Sequence, residues 1–546
     1  MTLMSRVFAR VYRLPPARTY DIVVEKDLQV PMGDGVQLLA DRYSPRQGER
    51  LATVLVRTPY GRAGIGLMGQ IFAERGFQAI IQACRGTNGS GGESQPFRGE
   101  REDGLATLAW LEQQPWFDGR LGMAGPSYMG FTQWALGVAA GSRLGALCTQ
   151  VTSSEFRTAM YPGGTFQLEI FLQWMQITRA MSGSMVQSLR ALASAGRRAR
   201  VAVRTLPLSE ADVAAVGAPM KFWRDWVQHS EPDDPWWTSE DFSRHLAEVR
   251  APNHLISGWY DFLLPQLVRD FEALRRAGHR PYLTIGPWSH SSSELSAVAM
   301  RESLHWLRAH LLGERSALRE LPVRVYVMGA GEWRDLPDWP PPGAQARRWY
   351  LHEGGRLDED PPGASAEATR FRYDPGDPTP NVGGATNATL GRGAGARDNR
   401  RLEARSDVRI FTSAPLTRAL EVMGPVAAEV FLRSSAESTD LFVRLCDVHP
   451  DGKSLNVCDG IVRLSPLRPA ADAEGCRGVT VELSPTAYRF KAGHRLRLQV
   501  SSGAFPRFAR NLGTLEPMTS ATTLRVAKQE LFHDSTRPSA VTLSVA

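Results

Sequence analysis

The 546-residue sequence predicts an α/β fold: a doubly wound, mainly parallel sheet interrupted by a helical insertion and followed by an all-β region. Three observations predict it. Short apolar runs alternate with helical patterns up to about residue 150 and again from 249 to 321. Residues 155–247 carry helical periodicity without convincing strand pairs. Beyond residue 322, short alternating segments recur between Gly, Pro and Asp turns, which reads as a jelly-roll β-sandwich. These changes divide the chain into 1–150 and 249–321, the two parts of the sheet domain, a cap insertion at 151–248, and a β-sandwich at 322–546.

In chain order, residues 21–45 alternate apolar and polar around a Gly-Asp-Gly turn and form a β-hairpin. Thr53 to Arg57 (TVLVR) and Gln78 to Gln82 (QAIIQ) are continuous apolar runs of buried-strand type, with a helix ending near Arg75 between them. Gly86 to Gly92 (GTNGSGG) is glycine-rich but lacks the Gly-Lys-Ser/Thr ending of a phosphate loop and reads as a plain loop. A helix over Asp103 to Gln114 precedes the stretch GRLGMAGPSYMGFTQWA, residues 119–135. There a short strand turns abruptly at Gly125-Pro126-Ser127 into a helix starting near Tyr128. A serine at such a turn has its hydroxyl exposed with a helix N-terminus behind it, as in α/β-hydrolases. Met129 stands where the usual G-x-S-x-G pattern has glycine, so an ordinary βα turn is the competing reading.

The insertion includes a helix over Met185 to Val203 and dense tryptophans (Trp174, Trp223, Trp226, Trp236, Trp237), as expected of a lid. The α/β pattern resumes with the strand Asn253 to Ser257, a helix over Gln266 to Ala277, the strand Tyr282 to Ile285 and a helix over 299–312. In the β region, strands are expected at Arg324 to Met328, Ala427 to Leu432, Leu441 to Asp447, Val457 to Leu464, Val479 to Leu483, Leu496 to Ser501 and Thr523 to Val526. The stretch 374–406 reads as a long surface loop.

Functional residues of an α/β sheet gather at the carboxyl ends of its strands. Three such ends carry Ser127, Asp261 and His290, and Ser–acid–His is the chain order of α/β-hydrolase triads. A serine hydroxyl needs an imidazole to take its proton, and a carboxylate to fix the imidazole tautomer and stabilise the imidazolium. Taken singly, Asp261 also reads as a helix cap and His290 as a surface-loop residue. The backbone N–H of Tyr128 and the phenol of Tyr60, at the end of TVLVRTPYG, are placed as oxyanion donors, although a structural tyrosine fits position 60 equally well.

These residues resemble the serine-hydrolase family that holds bacterial cocaine esterases, α-amino acid ester hydrolases and X-prolyl dipeptidyl peptidases. The matching segments are VPMGDGVQLLADRY, RTPYGR, GPSYMG, GWYDFL and GPWSHS, and in the β region VYVMGAGEWRDLPDWP, DVHPDGKSLNVCDGIVRL and AGHRLRLQVSSGAFPRF. The resemblance covers nearly the whole chain and is closest to the cocaine esterase branch. It implies the elbow variant G-x-S-Y-x-G, a triad at Ser127, Asp261 and His290, an oxyanion hole of the Tyr60 hydroxyl and the Tyr128 amide, and an α/β-hydrolase domain with helical cap and C-terminal jelly roll. Trp174 resembles a pocket-wall aromatic of the family; plain cap core is the rival reading. At Ala83 the family commonly shows Asp, a departure that reads as loss of a structural polar contact.

The expected chemistry is acyl transfer to Ser127 and then to water, requiring no metal or organic cofactor. Family members that select a free α-amino group place acids shortly after the triad Asp. Here Phe262-Leu263-Leu264-Pro265 follow Asp261, leaving a buried ammonium no counter-charge from this segment. The expectation is therefore a small-molecule ester with an uncharged aromatic or aliphatic acyl group. X-prolyl dipeptidyl peptidase or amino-acid ester/amide acylase activity is the alternative. A non-catalytic carbohydrate- or ligand-binding protein on a hydrolase scaffold is a second.

The net charge of +7 comes from arginines spread among acids, the clusters at Arg197 to Arg204 and Arg397 to Arg405 being short, so no nucleic-acid partner is expected. No run has the length of a membrane span, the N-terminal 20 residues lack an unbroken apolar core, and five scattered cysteines suggest neither a disulfide framework nor a CxxC metal site. A cytoplasmic location fits best, and a homo-oligomer is left open.

Overall fold

The structure, a computed structural model, describes residues 2–48, 50–181, 185–386, 393–466 and 469–546. After an N-terminal helix, α1 (Thr2–Val11), ten strands form one sheet. They are β1 (Ile22–Pro31), β2 (Gln37–Pro45), β3 (Leu51–Thr58), β4 (Gln78–Ala83), β5 (Phe117–Pro126), β6 (Ala146–Gln150), β7 (Asn253–Tyr260), β8 (Tyr282–Ser289), β9 (Val323–Val327) and β10 (Glu332–Leu336). Their order is β1-β2-β4-β3-β5-β6-β7-β8-β9-β10, parallel from β4 to β9 and antiparallel at both ends. The central strands β4, β6 and β7 are buried along their whole length, because helices cover both faces of a parallel sheet. Those helices are α2 (Arg62–Glu74), α3 (Glu100–Glu112), α4 (Tyr128–Ala140), α10 (Leu264–Arg276) and α11 (Ser293–Leu311).

Between β6 and β7 lie helices α5 (Arg157–Met160), α6 (Leu168–Met181), α7 (Met185–Ala202), α8 (Ala211–Val216) and α9 (Lys221–Gln228), interleaved with short 3₁₀ turns. Among the described residues this insertion holds no strand. The third part is all β. Its strands are β11 (Gln345–His352), β12 (Arg356–Asp358), β13 (Thr369–Tyr373), β14 (Arg409–Thr412), β15 (Leu420–Ser434), β16 (Thr439–Val448), β17 (Ser454–Leu464), β18 (Arg477–Phe490), β19 (Arg495–Ser501), β20 (Ala527–Phe532) and β21 (Ala540–Val545). Together they form a second, eleven-stranded sheet. No described helix is long and apolar enough to cross a membrane.

Three expectations need correction. The strand at Arg324 to Met328, assigned to the β-sandwich, is β9 and pairs in parallel with β8, so β9 and β10 finish the first sheet. Its alternating burial fits a two-sided strand in either sheet, and only tertiary pairing decides between them. Thr523 to Val526 is not a strand; the strand starts at Ala527 and pairs with β13 and β15. The stretch 374–406 is not simply a surface loop, although its residues 387–392 lie outside the described ones. Asn381 and Asn399 are buried against the fully buried guanidinium of Arg444, which donates to both amide oxygens and to the Val382 carbonyl while pairing with Asp459. A glycine-rich sequence hides such an anchor, since the arginine comes from a distant strand.

Candidate active site

Ser127 is the single residue between β5 and α4, and its φ of 57° with ψ of −123° lies where L-residues are rarely found, a strain of about 1–3 kcal/mol. Surrounding bonds hold it. Its N–H donates to the Gln150 carbonyl at 2.8 Å, and its own carbonyl accepts from the Gly130 N–H and the Thr152 hydroxyl, both at 2.8 Å. The glycine pattern has a steric cause. A Cβ at Gly125 would sit 2.7 Å from the Met129 Cβ, and one at Gly130 would sit 2.5 Å from the Thr152 Cγ2. Position 129 points instead into the apolar core, so methionine fits there and glycine is needed one place later.

Asp261 follows β7 and His290 follows β8. The Asp261 carboxylate is fully buried; Oδ1 accepts the Leu263 N–H at 2.9 Å and faces His290 Nδ1 at 3.1 Å, while Oδ2 accepts the Ser257 hydroxyl at 3.3 Å. With an acceptor at Nδ1, the neutral imidazole carries its proton there, leaving Nε2 as the acceptor 3.2 Å from Ser127 Oγ. The arrangement is suited to nucleophilic catalysis by a general-base-activated serine.

Tyr60 is brought close enough to the same serine for Ser127 to act on the ionisation of its phenol. Burial pushes the phenol above its ordinary range, so it remains a donor at neutral pH. The indole Nε1–H of Trp174, on α6, donates to the Tyr60 oxygen at 3.0 Å. That contact occupies an acceptor position of the phenol and leaves its O–H free to turn toward Ser127. Tyr128 opens α4, where a backbone N–H has no partner within the helix. Its side chain is engaged on the far side: the hydroxyl donates to Glu100 Oε1 at 2.7 Å and accepts the Phe97 N–H at 2.9 Å. Only the amide of Tyr128 is therefore available to an oxyanion.

Sequence reasoning missed this supporting layer. Glu100 pairs with Arg57 at 2.8 Å, both buried, and Arg57 also donates to Gln82 Oε1. An arginine closing the otherwise apolar run TVLVR was the available signal. Of the rings named from the sequence, Phe262 packs 4.6 Å from the His290 ring and Trp174 lies parallel to Tyr128 with centroids 6.3 Å apart. Missed was Phe97, which stacks on Tyr128 at 4.8 Å and on Phe156 at 3.9 Å. Leu263 and Leu264 are fully buried, so the segment after Asp261 brings no carboxylate to the site. Ala83, where the resembled family commonly shows Asp, is buried in β4, and its carbonyl accepts the Ser90 hydroxyl.

Comparison with known proteins places these features in context. Residues 34–292 match the family model for X-Pro dipeptidyl-peptidase (S15 family), and residues 317–542 match that for the X-Pro dipeptidyl-peptidase C-terminal non-catalytic domain. Cocaine esterase of a Rhodococcus species is 32% identical over 540 residues, covering 90% of this chain and 92% of that one. Among solved structures, an α-amino acid ester hydrolase superposes with a TM-score of 0.81 at 22% identity, covering 98% of both chains. An aminopeptidase from a marine sediment archaeon (Thaumarchaeota) gives 0.80 at 22% identity over 97% of both. At that identity the two structures bear on the fold alone.

Proposed function

Since the chain belongs to the serine-hydrolase family of cocaine esterase and the S15 X-Pro dipeptidyl peptidases, we propose that it hydrolyses carboxylic esters of uncharged, aromatic or aliphatic acids through Ser127, His290 and Asp261. The observation that carries the substrate class is the apolar segment Phe262-Leu263-Leu264 directly after Asp261, with Phe262 against the His290 ring. A free ammonium next to the scissile carbonyl would be buried there without a partner, at a cost of several kcal/mol.

In the proposed reaction Ser127 Oγ attacks the ester carbonyl carbon while His290 Nε2 takes the hydroxyl proton. Asp261 holds the resulting imidazolium at Nδ1. The carbonyl oxygen, now an oxyanion, accepts from the Tyr60 O–H and the Tyr128 N–H. Collapse breaks the bond to the alcohol oxygen, which leaves with the proton from His290, and Ser127 is acylated. Water attacks the acyl carbon as His290 takes its proton, and Ser127 leaves with that proton as the acid is released.

The test is p-nitrophenyl ester hydrolysis together with fluorophosphonate labelling. Ser127→Ala is expected to lower kcat/KM by at least about 10³-fold and to abolish labelling, whereas retained turnover would refute the assignment. For the substrate class, phenyl and benzoyl esters are expected to turn over faster than Xaa-Pro anilides. Faster anilide cleavage would favour a peptidase instead.

A further inference from the structure

The carboxylate of Asp447 and the imidazoles of His449 and His494 converge at one corner of the all-β domain, remote in sequence from the hydrolytic residues. Their candidate ligand atoms all lie within 4.8 Å of one another. Asp447 is the penultimate residue of the wholly buried β16, His449 stands on the turn that leads to β17, and His494 directly precedes β19. The His494 Nδ1 is 2.8 Å from Asp447 Oδ1, and the His449 Nε2 is 3.5 Å from Oδ2. A tetrahedral ion with bonds of about 2.0–2.1 Å spaces its ligand atoms about 3.3 Å apart, close to the two separations from the carboxylate.

We infer that Asp447, His449 and His494 form a zinc site that ties the ends of β16 and β19 to the 449–453 turn. Two imidazoles and one carboxylate suit zinc; calcium and magnesium draw mainly on oxygen ligands. The carboxylate is held from behind, because the buried Tyr488 hydroxyl donates to Asp447 Oδ2 at 2.8 Å. Such an outer hydrogen bond orients a ligating carboxylate. The turn carrying His449 is fixed by its own backbone: the His449 N–H donates to the Lys453 carbonyl, and the Gly452 N–H donates to the His449 carbonyl. His449 also lines an open cleft together with Gly452 and Gly493, so its side of the cluster is reached by solvent. The two arginines of that cleft are occupied, Arg497 by Glu403 and Arg495 by the Ser413 carbonyl. On binding, zinc replaces the proton that His494 Nδ1 shares with Asp447: Nδ1 gives its proton to solvent, Nε2 takes one up, and the ring remains neutral as the other tautomer.

The test is calorimetric titration of the chelator-treated full-length protein with zinc chloride, repeated with cobalt(II) chloride by visible absorption. One equivalent of zinc is expected to bind, with cobalt giving the visible bands of a four-coordinate N/O site. His449→Ala is expected to weaken zinc binding by at least about 30-fold and to remove those bands, and His494→Ala to do the same. His245→Ala, at an exposed histidine paired with Glu248, should leave both unchanged. Should His494→Ala fail to fold, the half-exposed His449 decides alone. The absence of stoichiometric binding, or binding unaltered by His449→Ala, would overturn the site.

Discussion

At the scale of single residues, the hydrogen bond from Trp174 to Tyr60 separates two roles of one side chain. Its ring stacks on Tyr128 and packs near Phe97 and Phe222, while its Nε1–H sets the direction of the Tyr60 hydroxyl. Tyr60→Phe removes a donor to the proposed oxyanion and is expected to lower kcat by about 10²–10³-fold with little change in KM. Trp174→Phe keeps an aromatic ring but loses the donor, leaving the phenol free to point elsewhere. Its expected effect is about 3–10-fold on kcat, roughly one hydrogen bond's worth, and none on top of Tyr60→Phe in the double variant. Steady-state kinetics of the four proteins test this. Additive losses would mean that the indole acts on substrate directly and not through Tyr60.

At the scale of elements, the carboxyl end of the sheet is locked to α10 by a buried acid. Asp270 on α10 accepts from the Ser154 hydroxyl at 2.6 Å and the Ser154 N–H at 2.9 Å, just beyond β6. Burial pushes this carboxyl from 3.8 up to about 8, the nearby Glu155 adding to the rise and the Ser154 hydrogen bonds opposing it. Folded protein thus keeps a proton that unfolded chain has lost, so this group's contribution to stability declines as pH rises from about 4 to about 8 and is then constant. Asp270→Asn carries no such charge. The Tm of the wild type minus that of Asp270→Asn is therefore expected to fall between pH 5 and pH 8.5, and a pH-independent difference would contradict the raised carboxyl. The element-level pattern was readable where burial is continuous: TVLVR, QAIIQ and NHLIS are β3, β4 and β7, and the three residues that end in hydrogen-bonding reach of one another were visible as the ends of β5, β7 and β8. What escaped depends on partners distant in sequence. The Trp174–Tyr60 bond joins residues 114 positions apart, and Arg444 collects its acceptors from loops that composition alone makes look solvent-exposed.

At the scale of the whole molecule, the two sheets are joined by backbone as well as side chains, which bears on how the chain unfolds. Just after β9, the Met328 N–H donates to the Ala487 carbonyl and the Arg489 N–H returns to the Met328 carbonyl, so β18 pairs directly with the chain leaving the first sheet. Tyr260, beside Asp261, donates its hydroxyl to the Asn456 carbonyl of β17; Arg269 pairs with Glu482, and Glu169 of the insertion accepts from Thr386. One contiguous apolar cluster runs from Val30 in β1 through Trp226 in the insertion to Leu543 in β21. Domains that share a polar, modest interface melt separately, whereas a shared core and paired backbone couple them. Differential scanning calorimetry of the full chain is therefore expected to give one endotherm whose calorimetric and van't Hoff enthalpies agree. Loss of proposed Ser127 activity should follow the same transition, because the loss of the β17 and β18 contacts frees the strand end that carries Asp261. Two resolved endotherms, with activity surviving the first, would show that the β domain only adjoins the hydrolase sheet and does not help to hold its site.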